Sequence, residues 1–320
     1  MLELDVSVER RDLVVEVALG VEPGERVALF GPSGAGKTTV LETVAGLVEP
    51  RAGSIRLAGR TLTSSSPRRS AVPVWQRRVG LLRQEPALFP HLDVAANLAY
   101  DRAGRGGDAR EQAAIAECLG IEALLGARPA ALSGGQARRV ALGRLLLADV
   151  DALLLDEPYS GLDAPLRRIV TQAVSDAVVA RGVPAVLVAH ELTEAQAFAD
   201  RLGVLDGGRI VQSGSPAEVV ARPATRRVAE LVGYRSFVAV PGGAIGVHPC
   251  RVVAGAHPDA GVVVAGAVTA RRASGARVEV DLDVGGVCVT CELLDPPATR
   301  DTVVTVLDPP FFRADGTDRR

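Results

Sequence analysis

Over residues 1–11 apolar and charged side chains alternate, so one face of an extended segment meets a core and the other meets water, which predicts a strand. Three later runs differ. Residues Arg26–Phe30, 152–155 and Ala185–Ala189 are apolar almost throughout, the pattern of strands covered on both faces in a parallel sheet. Longer stretches separate them, with helices expected from about Lys37 and over residues 137–148, so the chain to about Leu231 reads as an α/β layered domain. Open parallel sheets bind ligands beyond the carboxyl ends of their strands. Each of the three runs ends on a residue type suited to phosphate chemistry.

Between residues 222 and 236 come a proline, a short basic helix and Gly233, after which valine, glycine and proline dominate. Short strands joined by turns are expected from about 237 to 312, forming a small β domain. The predicted organisation is a first domain over 1–232, a β domain over 233–315 and a tail over 316–320. Within the β domain Val278, Val280, Leu282 and Val284 alternate with Glu279, Asp281 and Asp283, and Gly285-Gly286 turns the chain into residues 287–293, which predicts a hairpin. Cys288 and Cys291 form a C-x-x-C there, but residues three apart on a strand face opposite sides, so the thiols do not converge on a metal. Residues 60–73 and 102–108 read as polar loops, and those after Phe312 as disordered.

Composition narrows the function classes. With 48% apolar and 23% charged residues and a formal net charge of -2, the 320-residue chain lacks the positive field of a general nucleic-acid binder, so nucleic acid is not an expected partner. Its start shows no signal-peptide blocks, and no run approaches the roughly 20 apolar residues that cross a bilayer. The expected location is the cytoplasm, with any membrane path built by another chain. Four cysteines are too few for a disulfide scaffold.

Gly31-Pro32-Ser33-Gly34-Ala35-Gly36-Lys37-Thr38 fits G-x-x-x-x-G-K-[ST], and it follows a predicted strand and opens a predicted helix, with Thr39 next in line. The glycines let backbone N–H groups close around a phosphate, the helix adds its positive end, and Thr38 offers a hydroxyl to Mg²⁺. Lys37 is the only lysine among 36 Lys plus Arg residues. A compact ammonium suits a tight loop where a planar guanidinium does not. At the end of the second apolar run, Asp156 is expected to hold Mg²⁺ through water and Glu157 to orient the attacking water. His190 ends the third run, placed to face a γ-phosphate.

Leu132-Ser133-Gly134-Gly135-Gln136, followed by a helical stretch, resembles the signature of the ABC ATPases. Ser133 can cap that helix, and the bare N–H groups of the glycines offer an anion site. The resemblance covers about residues 1–232 and implies a phosphate-loop ATPase fold with a helical subdomain. It further implies a homodimer in which each signature meets ATP held by the other copy, with Gln84 as the Q-loop glutamine that also reaches Mg²⁺, Ser160–Asp163 as the D-loop, Asp163 near the nucleotide, and His190 as the switch histidine. Residues 86–91 look like the importer form of the surface that receives a permease, and the β-rich end resembles the TOBE/Mop-like domain of molybdate, sulfate, sugar and iron importers. These features imply an ATP-hydrolysing importer subunit on the cytoplasmic face of the membrane, served indirectly by an extracytoplasmic solute-binding protein, with molybdate or a related oxyanion ranked first as cargo. The family's adenine-stacking aromatic has no counterpart, because residues 1–29 contain no Phe, Tyr or Trp; Arg10 or Arg11 is left as a candidate.

Overall fold

In the computed structural model residues 1–66, 70–100, 109–259, 261–274, 277–294 and 301–313 are described. The alternating start forms β1 (Leu2–Arg10), with its apolar side chains buried, and turns into β2 (Leu13–Val21) in antiparallel register from Leu2↔Val21 to Arg10↔Leu13. The three apolar runs become β3 (Arg26–Phe30), β8 (Ala152–Asp156) and β9 (Ala185–Ala189), and the last two are buried at every position. They lie side by side and parallel, with Arg26↔Ala185 and Leu153↔Ala185 in register.

The remaining strands of this sheet are β4 (Ala52–Leu57), β5 (Arg60–Ser64), β6 (Ser70–Ala71), β7 (Val79–Leu82), β10 (Arg201–Asp206) and β11 (Arg209–Gly214). Among the described residues the order is β6-β5-β4-β1-β2-β11-β10-β3-β9-β8-β7. Helices α1 (Lys37–Ala45), α5 (Ala164–Arg181) and α6 (Leu192–Phe198) connect its strands. Between β7 and β8 lies a helical group, α2 (Val94–Ala99), α3 (Ala109–Cys118) and α4 (Gly134–Leu147). Leu98, Leu119, Ile121, Val140, Leu142 and Leu146 are fully buried there.

The expectation of a loop over 60–73 fails for its first part. Residues 60–64 pair antiparallel with β4, and Leu62 and Thr63 are buried. Serine and threonine made the segment look polar, but threonine is β-branched and fits a pleated sheet. The buried Arg77 guanidinium donates to Val72 O and Val44 O, each at 2.9 Å, and to Thr63 Oγ1 at 2.9 Å. It thereby satisfies a carbonyl at the end of α1. The expected loop at 102–108 lies outside the described residues, as does the stretch expected to be disordered after Phe312 except for Arg313, which belongs to a strand.

The chain divides into two compact units, Met1–Pro216 and Ala217–Arg320. The break precedes the one read from composition at 232/233. Helix α8 (Arg226–Leu231), and α7 (Pro216–Ala221) apart from its first residue, group with the second unit, because composition registers where valine-rich runs begin and not which core a short helix joins.

The second unit is built of strands, as expected. A three-stranded sheet holds β12 (Ser236–Val240), β13 (Gly243–Val247) and β19 (Phe311–Arg313), and a five-stranded one β14 (Val252–Ala254), β15 (Gly261–Ser274), β16 (Arg277–Val284), β17 (Val287–Leu293) and β18 (Asp301–Leu307). The Gly285-Gly286 turn of the β16–β17 hairpin has φ of 59° and 86°, values that glycine adopts without a Cβ penalty. Cys288 is exposed and Cys291 buried, on opposite faces of β17. Among the described residues no helix is long and apolar enough to cross a membrane.

Candidate nucleotide site

The phosphate loop leaves β3 and ends where α1 begins. Its last glycine, Gly36, sits at φ 103° and takes the N-cap position of α1, where a Cβ would lie 2.6 Å from Val15 Cγ2. Only glycine meets both demands. Lys37 is 6% exposed and folds back into the loop, its Nζ donating to Gly31 O at 2.8 Å and Pro32 O at 2.9 Å. Burial pulls its pKa down, while the carboxylates of Glu157 and Asp156 pull it up. The loop therefore holds the ammonium beside two carboxylates.

Thr38 Oγ1 donates to Asp156 Oδ1 at 3.2 Å. Asp156 ends β8 and is 5% exposed. Burial raises its pKa, the Thr38 hydrogen bond lowers it, and the neighbouring Glu157 and Glu42 raise it again. A hydroxyl, a carboxylate and the Gln84 amide oxygen are the hard oxygen donors that a small divalent cation takes. Among the described residues no three His, Cys, Asp or Glu cluster as a metal site.

The next residue stands out in its backbone. Glu157 has φ 52°, a left-handed value that a non-glycine side chain adopts at a cost. Its N–H donates to Val188 O at 3.2 Å, so β9 holds the bend. The bend lets Gln84 Nε2 donate to Glu157 Oε2 at 3.3 Å while His190 Nε2 meets Glu157 Oε1. The glutamine after β7, the acid after β8 and the histidine after β9 converge because the three strands are adjacent and parallel.

A cavity of about 710 Å³ joins these groups. It is lined by Ser33, Gly34, Gly36, Lys37, Thr38 and Thr39 of the cradle, by Gln84, Glu157 and His190, and by Arg10, Arg11, Asp12 and Leu13 at the β1–β2 turn. Gly31, Pro32 and Ala35 belong to the same loop behind that surface. Among the described residues no Phe, Tyr or Trp lines it.

The remaining predicted residues lie elsewhere. Ser133 caps α4 in a reciprocal box: its Oγ accepts from Gln136 N at 3.3 Å, and Gln136 Oε1 accepts from Ser133 N at 2.8 Å. Gly134 is exposed and Gly135 half-buried at the helix tip. Asp163 caps α5, accepting from Leu166 N at 2.9 Å. Ser133, Gly134, Gly135, Gln136 and Asp163 do not line the cavity.

Sequence reasoning missed the supports. Asn97, fully buried, accepts from Phe89 N at 2.9 Å and donates to Phe89 O, Leu92 O and Asp93 O, so one amide folds the loop at 86–91. Phe89 lies on Tyr100, with ring centroids 4.0 Å apart, and under the Arg144 guanidinium at 5.1 Å. A single amide inside an apolar helix was the one available signal.

Known proteins resemble this chain in sequence and in fold. The sequence pattern described as ABC transporter matches residues 14–160. An iron(III)-ion import ATP-binding protein of Rhodococcus jostii is 43% identical over 221 residues, 68% of this chain and 62% of its own length. The chain thus spans less than two thirds of that relative. A molybdenum import ATP-binding protein of Mycobacterium tuberculosis is 39% identical over 266 residues, 80% of this chain and 71% of its own. Among solved structures, the dimeric ATP-binding cassette MJ0796 in a post-hydrolysis state with ADP and Pi is 26% identical, covers 68% of this chain and 99% of its own, and superposes with a TM-score of 0.57. Taken with the cradle and the capped glycine tip, this likeness shows that the chain belongs to the ABC transporter family, among its ATP-binding proteins.

Proposed function

We propose that this chain is the ATP-hydrolysing subunit of an importer, working as a homodimer at the cytoplasmic face of a membrane beside a separate permease. One observation carries the reading. Residues of the cradle, Glu157, Gln84 and His190 line a single cavity, with Asp156 behind it on Thr38, while the Ser133–Gln136 tip, with the form of a phosphate-binding helix start, stands outside it. A second copy would bring its own tip to that cavity and complete two sites at once. Lys37 and the loop N–H groups would grip the β- and γ-phosphates, and Thr38, Asp156 and Gln84 would hold Mg²⁺. Glu157 would orient the attacking water while His190 and Gln84 fix its carboxylate, and the Ser160–Asp163 segment would face the partner copy. Residues 86–91 would meet the permease.

Molybdate or a related oxyanion is the favoured cargo, delivered by an extracytoplasmic binding protein. The molybdenum relative matches 266 residues, against 221 for the iron relative, so its likeness covers more of this chain. Uptake of labelled molybdate into vesicles carrying this chain and its copurifying permease, competed with sulfate and with iron(III), decides between them.

The mechanism is tested by Glu157→Gln, which keeps the shape and removes the water-orienting charge. Turnover should fall by about 10²- to 10⁴-fold while ATP and Mg²⁺ drive the variant into a dimer measurable by light scattering. Wild-type turnover, or a monomer at saturating ATP, rejects the proposal.

A further inference from the structure

Helix α4 does more than present its tip. Arg138, in its second turn, points its guanidinium away from the helix axis and across two loops. One terminal nitrogen donates to Ser160 O at 2.7 Å and the other donates to Gln84 O. Its Nε is buried and has no hydrogen-bond partner among the described residues, so the two carbonyls define where the group sits. Six residues further along, Arg144 donates to Ala87 O at 2.7 Å and covers the Phe89 ring. Both ends of segment 84–89 are therefore carried by one helix.

We propose that Arg138 is a positioning residue that ties the Gln84 segment and the Ser160–Asp163 segment to the serine–glycine tip of α4. The inference rests on the proposed function, in which that tip meets the partner's nucleotide. Gln84 and Ser160 both lead to the acid at the centre of the site: the Gln84 side chain donates to Glu157 at 3.3 Å, and Ser160 N–H donates to Glu157 O at 3.4 Å. A Cβ on Gly135 would stand 4.0 Å from Gly161 O, so the tip and the second segment also run close together. A helix moves as a rigid body, and a planar guanidinium serves two carbonyls in fixed directions. Engagement of the tip then shifts Gln84 and Ser160 together and resets Glu157. An ammonium is a single point of donation without the rigid fork that fixes the directions of two N–H groups.

The test compares wild type, Arg138→Ala and Arg138→Lys. Both variants should lose about tenfold to hundredfold in kcat while KM and the monomer's affinity for Mg·ATP stay within about threefold, because Arg138 does not line the nucleotide cavity. Amide exchange without nucleotide should speed up at 84–89 and 160–163 together in Arg138→Ala, leaving the melting temperature and residues 37–45 unchanged. A kcat equal to wild type, rescue by lysine, or unchanged exchange in the two segments overturns the tie. A wild-type chain that binds no ATP overturns the proposed function instead, and the exchange measurement still decides the tie.

Discussion

Both units of the chain are built on sheets, but only the first gathers chemistry. In the first unit β7, β8, β9 and β3 run in one direction, so their carboxyl ends deliver Gln84, Asp156, Glu157, His190 and the phosphate loop to one edge, although these residues are separated by up to 159 positions. In the second unit the described neighbours all pair antiparallel, so successive strand ends fall on opposite edges. Its C-x-x-C shows the consequence. Cys288 opposes Asp283 and Cys291 opposes Val280, one thiol exposed and one in the core. Strand direction, more than residue type, decides whether reactive side chains become a site.

The largest test of that contrast is Lys37→Ala. Removing the only lysine takes the single ammonium from the cradle, and titration with a fluorescent ATP analogue should show at least a hundredfold loss of affinity, as expected for a charge-assisted phosphate contact. Affinity near wild type would detach the cradle from nucleotide binding.

Asp156→Asn separates stability from function. Burial raises the Asp156 pKa above the unfolded value, so the folded chain holds the proton more tightly than the unfolded one. Ionising this carboxyl therefore costs stability as pH rises from the ordinary 3.8 through the raised value, and the cost persists at neutral pH. The variant should melt about 2 to 4 °C higher than wild type at pH 7, with the gap closing as the pH is lowered through that window, while Mg²⁺ no longer strengthens ATP binding. A lower melting temperature at pH 7 would contradict the burial argument.

The smallest effects are expected in the hairpin. Cys291→Ser buries a hydroxyl in the core and should cost about 1 to 3 kcal/mol in denaturant unfolding, whereas Cys288→Ser should be close to neutral. In the native protein maleimide should label Cys288 and spare Cys291, whose pKa burial pushes to about 12. Reversed labelling would mean that β17 slips by one residue.

Much of this was legible beforehand. The strands Arg26–Phe30 and Ala185–Ala189 lie where continuous apolar runs placed them, and the predicted hairpin turns at Gly285-Gly286. Ser133 caps its helix as its position implied. Local rules failed where a partner decided the outcome. Residues 60–64 became a strand because β4 offered hydrogen bonds, and α8 groups with the second unit although it precedes the valine-rich runs. Nothing in the local sequence marked Arg138, and only an amide inside an apolar helix marked Asn97; their roles depend on segments 54 and 8 residues away.

The sequence by itself determined the kinds of group available: a glycine cradle with one lysine, two carboxylates after an apolar strand, a histidine after another, and a serine–glycine helix start. These are readable because hydrophobic periodicity, capping and glycine freedom act over a few residues. Only the tertiary structure decided that Glu157 bends to a φ of 52° between Gln84 and His190, and that Arg138 holds two loops to α4. Such contacts join residues far apart in the chain, and they exist only once the sheet has set its strands in order.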